Sequence, residues 1–157
     1  MQGFDAAKST AIDTNLERTT IVLCQTLLVA ALIILPLFYT LVPPLEDYPN
    51  HLARMFALAQ LPHNEFLARF YQTAWAPIPN LIMDLIVPPL VPWLGVYTAG
   101  RIFIGLTLLL LLFGPMALHR ALYHKWSAWP LVGGLFVYNG FLFIGLMNYL
   151  FGVGVAV

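Results

Sequence analysis

Charge is what this chain has least of. Seven basic and seven acidic side chains make up 9% of 157 residues, too few to cover a soluble domain that is 61% hydrophobic. The two signs balance, so there is no basic excess to mark a nucleic-acid surface or an anionic-lipid patch. Cysteine is nearly absent as well. Cys24 stands alone, which excludes an intrachain disulfide and a cysteine-paired metal site, and it reads as a small apolar residue inside an apolar run. Paired CxxC, HExxH, GxSxG and a phosphate-cradling glycine loop are all missing. Low-complexity tracts and internal repeats are missing too. What is left is an integral membrane protein.

From Thr19 to Leu45 no charge interrupts the chain, and a helix needs roughly 20 such residues to cross a bilayer. The expected first span covers about 20–42, after a cytoplasmic tail at 1–18. That lead is long for a signal peptide, and Leu41-Val42-Pro43-Pro44 offers no small-residue cleavage site. Pro36 is expected to kink the span, and Pro43 and Pro44 to end it. An outer loop at 43–98 follows. Pro49 suits a first helical turn, and Leu52, Met55, Phe56 and Ala59 then recur at helical spacing, with His51 and Arg54 off the stripe. This predicts an amphipathic helix in the membrane interface. A second piece is expected around Glu65 to Gln72.

The segment Asn80 to Trp93 is apolar but short, holds Asp84 and is broken by Pro88, Pro89 and Pro92. Further spans are expected at about 101–118 and 129–145, with the start of another near 148. The connection between the first two of these carries Arg120 and Lys125 and no acid, which places it in the cytoplasm. If the tail with Lys8 and Arg18 lies there too, 80–93 is a re-entrant or interfacial helix; as a full span it would turn Arg120 and Lys125 outward. The acids of the tail, Asp5, Asp13 and Glu17, count for little in that rule. The chain ends in an apolar run without a polar flank, as the N-terminal part of a longer polytopic protein would. The expected fold class is therefore all-α: a polytopic transmembrane helical bundle at 19–157, with a structured outer loop of interfacial helices after the first span. Its expected location is the cell membrane, as a multi-pass protein of a bacterial inner membrane.

Carboxylates at a membrane surface are costly unless they are paired or used. Glu46 and Asp47 stand first among them. One can serve as general base while the other orients the nucleophile or binds a divalent cation, with Asp47 the candidate metal ligand. His51 and Arg54 lie four and seven residues past Asp47, so one helix face could offer a carboxylate, an imidazole and a fixed positive charge for a phosphate. The structural alternative is that Asp47 caps the helix, Glu46 is solvated, and Arg54 snorkels or pairs with Glu46. Asp84 has Arg101 or Arg69 as its expected counter-charge. His63, His119 and His124 read as interfacial polar residues, Asn139 and Asn148 as hydrogen-bonding across helices, and Trp75, Trp93, Trp126, Trp129 and Tyr149 as belt anchors.

One span, an acidic pair opening a long outer loop, and then paired spans joined by a short basic inner turn resemble the N-terminal module of the GT-C superfamily of membrane glycosyltransferases. Protein O-mannosyltransferases, oligosaccharyltransferase catalytic subunits and lipid A aminoarabinose transferases belong to it. The resemblance implies transfer of a sugar from a polyprenyl-phosphate donor on the outer face, with inversion. Asp47 would be base or metal ligand, Glu46 its assistant, His51 and Arg54 the groups at the departing phosphate, and Asp84 a further substrate-binding residue. Membrane lipid and a polyprenyl-phosphate sugar are the partners implied. Leu45 through Arg54, Pro77 through Met83 and Tyr138-Asn139 also resemble bacterial multi-pass membrane proteins without an assigned function. A different class remains open: a transporter or flippase-like subunit with Asp84, Glu46 and Asp47 along a polar path, and 80–93 as a discontinuous helix. A non-catalytic membrane assembly protein is the third reading.

Overall fold

The computed structural model describes residues 2–76 and 79–157, and of residues 2–15 the backbone alone. Pro77 and Ile78 lie outside the described residues, as do the side chains of Asp5, Lys8 and Asp13. All regular structure among the described residues is helical. Helix α1, Gln2–Ile34, carries the polar lead and the apolar run as one element. Pro36 does not kink it. The ring removes a donor and crowds the carbonyl four residues back, so the α-helix stops at Ile34 and a 3-10 turn, Leu35–Phe38, takes over. Helix α2, Tyr48–Gln60, forms where the stripe predicts it and buries Tyr48, Leu52 and Met55. A 3-10 turn, Leu61–His63, leads to the single turn α3, Glu65–Ala68, where Asn64 accepts the Leu67 N–H at 3.1 Å as its cap.

The segment 80–93 is broken into pieces. Asn80 has φ +68°, helix α4 is Ile82–Ile86, and a 3-10 turn, Pro88–Leu90, passes directly into α5, Val91–Tyr123. Gly95 breaks α5 near its start with φ +73° and ψ 158°, a conformation that glycine adopts without a Cβ clash. The expected span at 101–118 is thus the middle of a longer helix. His124 closes α5 in the left-handed region, with its N–H bonded to the Arg120 carbonyl at 2.9 Å.

The expected span at 129–145 is not one helix. It divides into a 3-10 run, Trp129–Phe136, and a short helix α6, Gly140–Ile144, after which α7 runs Met147–Ala156. Close packing accounts for the irregular first half. A Cβ on Gly134 would meet Val29 at 3.0 Å, Leu112 at 3.3 Å and Ile33 at 3.4 Å, so this run is pressed between α1 and α5. Tyr138 donates to the Ile33 carbonyl at 2.6 Å, at the helix end where carbonyls lose their internal partners.

The core gathers along α5, against which α2, α7, the 129–136 run and α1 pack. Phe103, Ile104, Leu108 and Leu112 are its centre. Gly114 and Gly154 bring α5 and α7 together: a Cβ on Gly114 would stand 2.9 Å from the Gly154 carbonyl oxygen. Two stretches, Leu16–Phe38 and Ile82–Tyr123, are long and apolar enough to cross a membrane. Their most apolar windows are only 28% and 33% buried, unlike a soluble protein's core helix. Leu27, Leu28, Leu32 and Phe38 face outward.

Candidate functional site

The acidic pair is held by its backbone. Glu46 and Asp47 donate their N–H groups to the carbonyls of Phe143 and Ile144, at 2.8 and 3.1 Å, so the C-terminal carbonyls of α6 receive the strand of chain that enters α2. Gly145 makes this possible. Its φ of +99° turns the chain after α6, and a Cβ there would come 2.9 Å from the Asp47 Cβ and 3.0 Å from the Asp47 nitrogen.

Asp47 sits at the N-cap position of α2 but its side chain accepts no backbone N–H. Pro49, in the first turn, has no N–H to offer. The carboxylate turns instead to side chains: Oδ1 accepts from Asn50 Nδ2 at 2.9 Å, and Oδ2 lies 3.3 Å from His51 Nε2. About half of the Asp47 side chain remains open to solvent. Glu46 is exposed and makes no side-chain bond among the described residues, so the expected Glu46–Arg54 pair does not form.

Arg54 belongs to Asp84. Its Nη2 donates to Asp84 Oδ2, joining α2 to α4 across thirty residues of sequence. This corrects the expected counter-charges Arg101 and Arg69. The cause is the break at Asn80 and the short α4, which bring Asp84 back under α2. Asp84 is 3% exposed and Arg54 is 53% exposed, so the pair is a buried anion under a half-open cation. One guanidinium edge is occupied and the remaining donors are free to bind. Asn148 supports the arrangement from α7 by accepting the Met83 N–H at 2.8 Å, a hydrogen bond across helices of the expected kind. Asn139 does not bond that way. It accepts the Leu142 N–H at 3.1 Å and donates to the Phe136 carbonyl at 2.9 Å, a local cap for α6.

Arg54 and Asp84 supply the charged groups of a cleft of about 630 Å³, whose apolar walls include Phe56, Leu61, Tyr71 and Trp75. The cleft lies between α2 and the chain leading to α4. Asp47 is seven residues before Arg54 on α2, about 10 Å along the helix. His51 stands between them in sequence. Among the described residues no three His, Cys, Asp or Glu side chains gather as a metal site, so Asp47 has a His neighbour and no second carboxylate. His63, His119 and His124 lie elsewhere in the chain; the His119 ring packs tilted against Tyr123, with ring centroids 4.7 Å apart. Trp75, Trp93, Trp129 and Tyr149 are exposed, as anchors would be.

Sequence reasoning missed Tyr48, Asn50 and Gly145. Asn50 stands three residues after Asp47, a spacing that puts both on one helix face. Gly145 follows a short apolar helix, the usual place for a left-handed closing residue. Tyr48 lies four residues before Leu52, so extending the stripe backward reaches it.

Among the described residues, the fold and this site define an all-helical protein with two membrane-length helices and a charged cleft between α2 and the chain leading to α4. Compared with known protein families, curated proteins and solved structures, the chain matches none.

Proposed function

We propose that this is a multi-pass membrane protein that transfers a sugar from a polyprenyl-phosphate donor at the outer membrane surface, as GT-C glycosyltransferases do. The observation that carries the reading is the Asp47 carboxylate: it stands at a helix N-terminus, relieved of capping, half open to solvent and oriented by Asn50 and His51. That is the arrangement of a general base held in place. The acceptor hydroxyl attacks the anomeric carbon, its proton passes to Asp47, and the bond from that carbon to the phosphate oxygen breaks, its electron pair leaving with the polyprenyl phosphate. The free edge of Arg54 binds the departing phosphate, and the prenyl chain follows the apolar wall of Phe56, Tyr71 and Trp75. Asp84 fixes the guanidinium from below. The spacing of Asp47 and Arg54 along α2 leaves room for a sugar between base and phosphate. Glu46, exposed and next to Asp47 in the chain, assists the acceptor.

The test is turnover of a panel of polyprenyl-phosphate sugars by the protein in membranes. Asp47→Asn keeps the shape and removes the base, and a loss of about 100-fold or more is expected. Wild-type turnover by Asp47→Asn and by Asp47→Ala would sink the reading. A transport role for Asp84 has no support in its surroundings, since that carboxylate is buried against Arg54 instead of facing an open aqueous path.

A further inference from the structure

Arg101 has no acidic partner among the described residues. Arg54 is held by Asp84, and Arg120 lies over the Trp126 ring at 5.9 Å, but among the described residues Arg101 makes neither an ion pair nor a hydrogen bond. Yet it stands partly buried in the apolar part of α5, two and three residues before the fully buried Phe103 and Ile104. A cation in such surroundings is costly unless an anion comes to it. Among the described residues no acid pairs with it: Asp84 is taken by Arg54 and Asp47 by His51.

The groove beside Arg101 indicates what comes. Thr98, Arg101, Gly105 and Leu109 form one stripe down α5, spaced at successive turns. Ile34, Leu37 and Phe38, at the outer end of α1, face them across a cleft of about 540 Å³. Among the described residues that line it Arg101 alone is charged, and the walls below are apolar. Gly105 keeps the slot open: a Cβ there would already be in contact with Ile34 Cδ1 at 3.5 Å, so a longer side chain would fill it. Helical side chains lean toward the N-terminus, which carries the guanidinium toward the end of α5 where the fully displayed Trp93 marks an interface.

We propose that the α1–α5 groove binds an anionic phospholipid, with its headgroup phosphate on Arg101 and an acyl chain along Gly105 and Leu109. The site is separate from the cleft at Arg54. It rests on the membrane reading given above, though not on the transfer chemistry, so loss of sugar transfer in Asp47→Asn and loss of lipid in an Arg101 variant are independent results.

The experiment uses the purified protein in detergent, with phosphatidylglycerol or phosphatidylcholine added, followed by native mass spectrometry and thermal unfolding. Wild type is expected to retain phosphatidylglycerol through delipidation and to gain several degrees of melting temperature from it, with little gain from phosphatidylcholine. Arg101→Gln should lower retention at least tenfold while melting as wild type does in phosphatidylcholine. Arg101→Lys should keep most of the retention. Gly105→Leu, which leaves the cation and fills the slot, should lose the lipid as well. Equal retention of the two lipids by wild type would overturn the proposal. So would undiminished phosphatidylglycerol retention in both Arg101→Gln and Gly105→Leu, or an equal shift from inorganic phosphate alone.

Discussion

Tyr48 shows how a single side chain can be positioned by packing against its own polar group. Its ring is fully buried, and its hydroxyl fits beside Gly100, where any Cβ would collide with it. Among the described residues that hydroxyl has no hydrogen-bond partner. Burial pushes the phenol's pKa well above its ordinary value of 10, and the Arg101 charge offsets only part of the shift. An unsatisfied buried hydroxyl costs about 1–3 kcal/mol, so Tyr48→Phe should be as stable as wild type or more stable by about 1 kcal/mol. The pH dependence has a definite sign. Above pH 10 the unfolded chain releases the Tyr48 proton while the folded chain keeps it, so wild-type stability falls as pH rises, and below pH 10 this contribution is constant. Tyr48→Phe lacks that part of the fall. Thermal unfolding of both proteins between pH 7 and pH 11 checks this, and a variant less stable than wild type at pH 7 would show that the hydroxyl is satisfied after all. The sequence displays Tyr48 between an acid and two turn residues, where only the stripe of Leu52 and Met55, carried back one turn, marks it as core. Asp84 was legible as an unusual acid, but its partner was not, because Arg69 and Arg101 are nearer in sequence and only the turn at Asn80 brings Arg54 to it.

Among the elements, α2 could be read from its one-sided apolar pattern and the long apolar runs in α1 and α5 from their length, but the 129–145 stretch could not. Leu52 and Met55 announce α2 because His51 and Arg54 interrupt them at helical spacing. The 129–145 stretch has no polar face to set a period, so its division into a 3-10 run and α6 depends on contacts such as Gly134 against Val29, which no local pattern reports. The joint between α6 and α2 is the element-level feature with most bearing on the site. Gly145 holds a left-handed φ and lies against the Asp47 backbone, so Gly145→Ala adds about 1–2 kcal/mol of backbone strain and a steric push on Asp47. Two effects are expected together. The melting temperature falls, and the amides of Glu46 and Asp47 exchange faster as their bonds to Phe143 and Ile144 loosen. Hydrogen exchange followed by mass spectrometry reads both residues, and unchanged protection at 46–47 would mean that the joint does not depend on Gly145.

For the whole molecule the deciding quantity is how much apolar surface the helices leave uncovered. Residues such as Leu27, Leu28 and Leu32 on α1 face outward, in amounts that a soluble fold would not leave in water. In a bilayer the same surface needs no cover. If 43–98 lies outside, the closing turn of α5 lies inside, and its charges agree: Arg120 and Lys125 stand there without an acid. The run from Ile82 to Tyr123 is also too long for a single crossing, at about 1.5 Å per residue against a core of about 30 Å. Gly95 is where it bends, and α4 with the proline turn precedes that break and packs beneath α2. The arrangement is tested by single cysteines at positions 47, 84 and 122 in a Cys24→Ser background, using a membrane-impermeant thiol reagent on intact cells. Position 47 should label from outside, because Asp47 is half open. Position 84 should label poorly on either side, because it is buried under Arg54. Position 122 should label only after permeabilisation. Labelling at 122 from outside with 47 silent would invert the protein in the membrane, move Asp47 to the cytoplasmic face and remove the outer-surface transfer reaction with it.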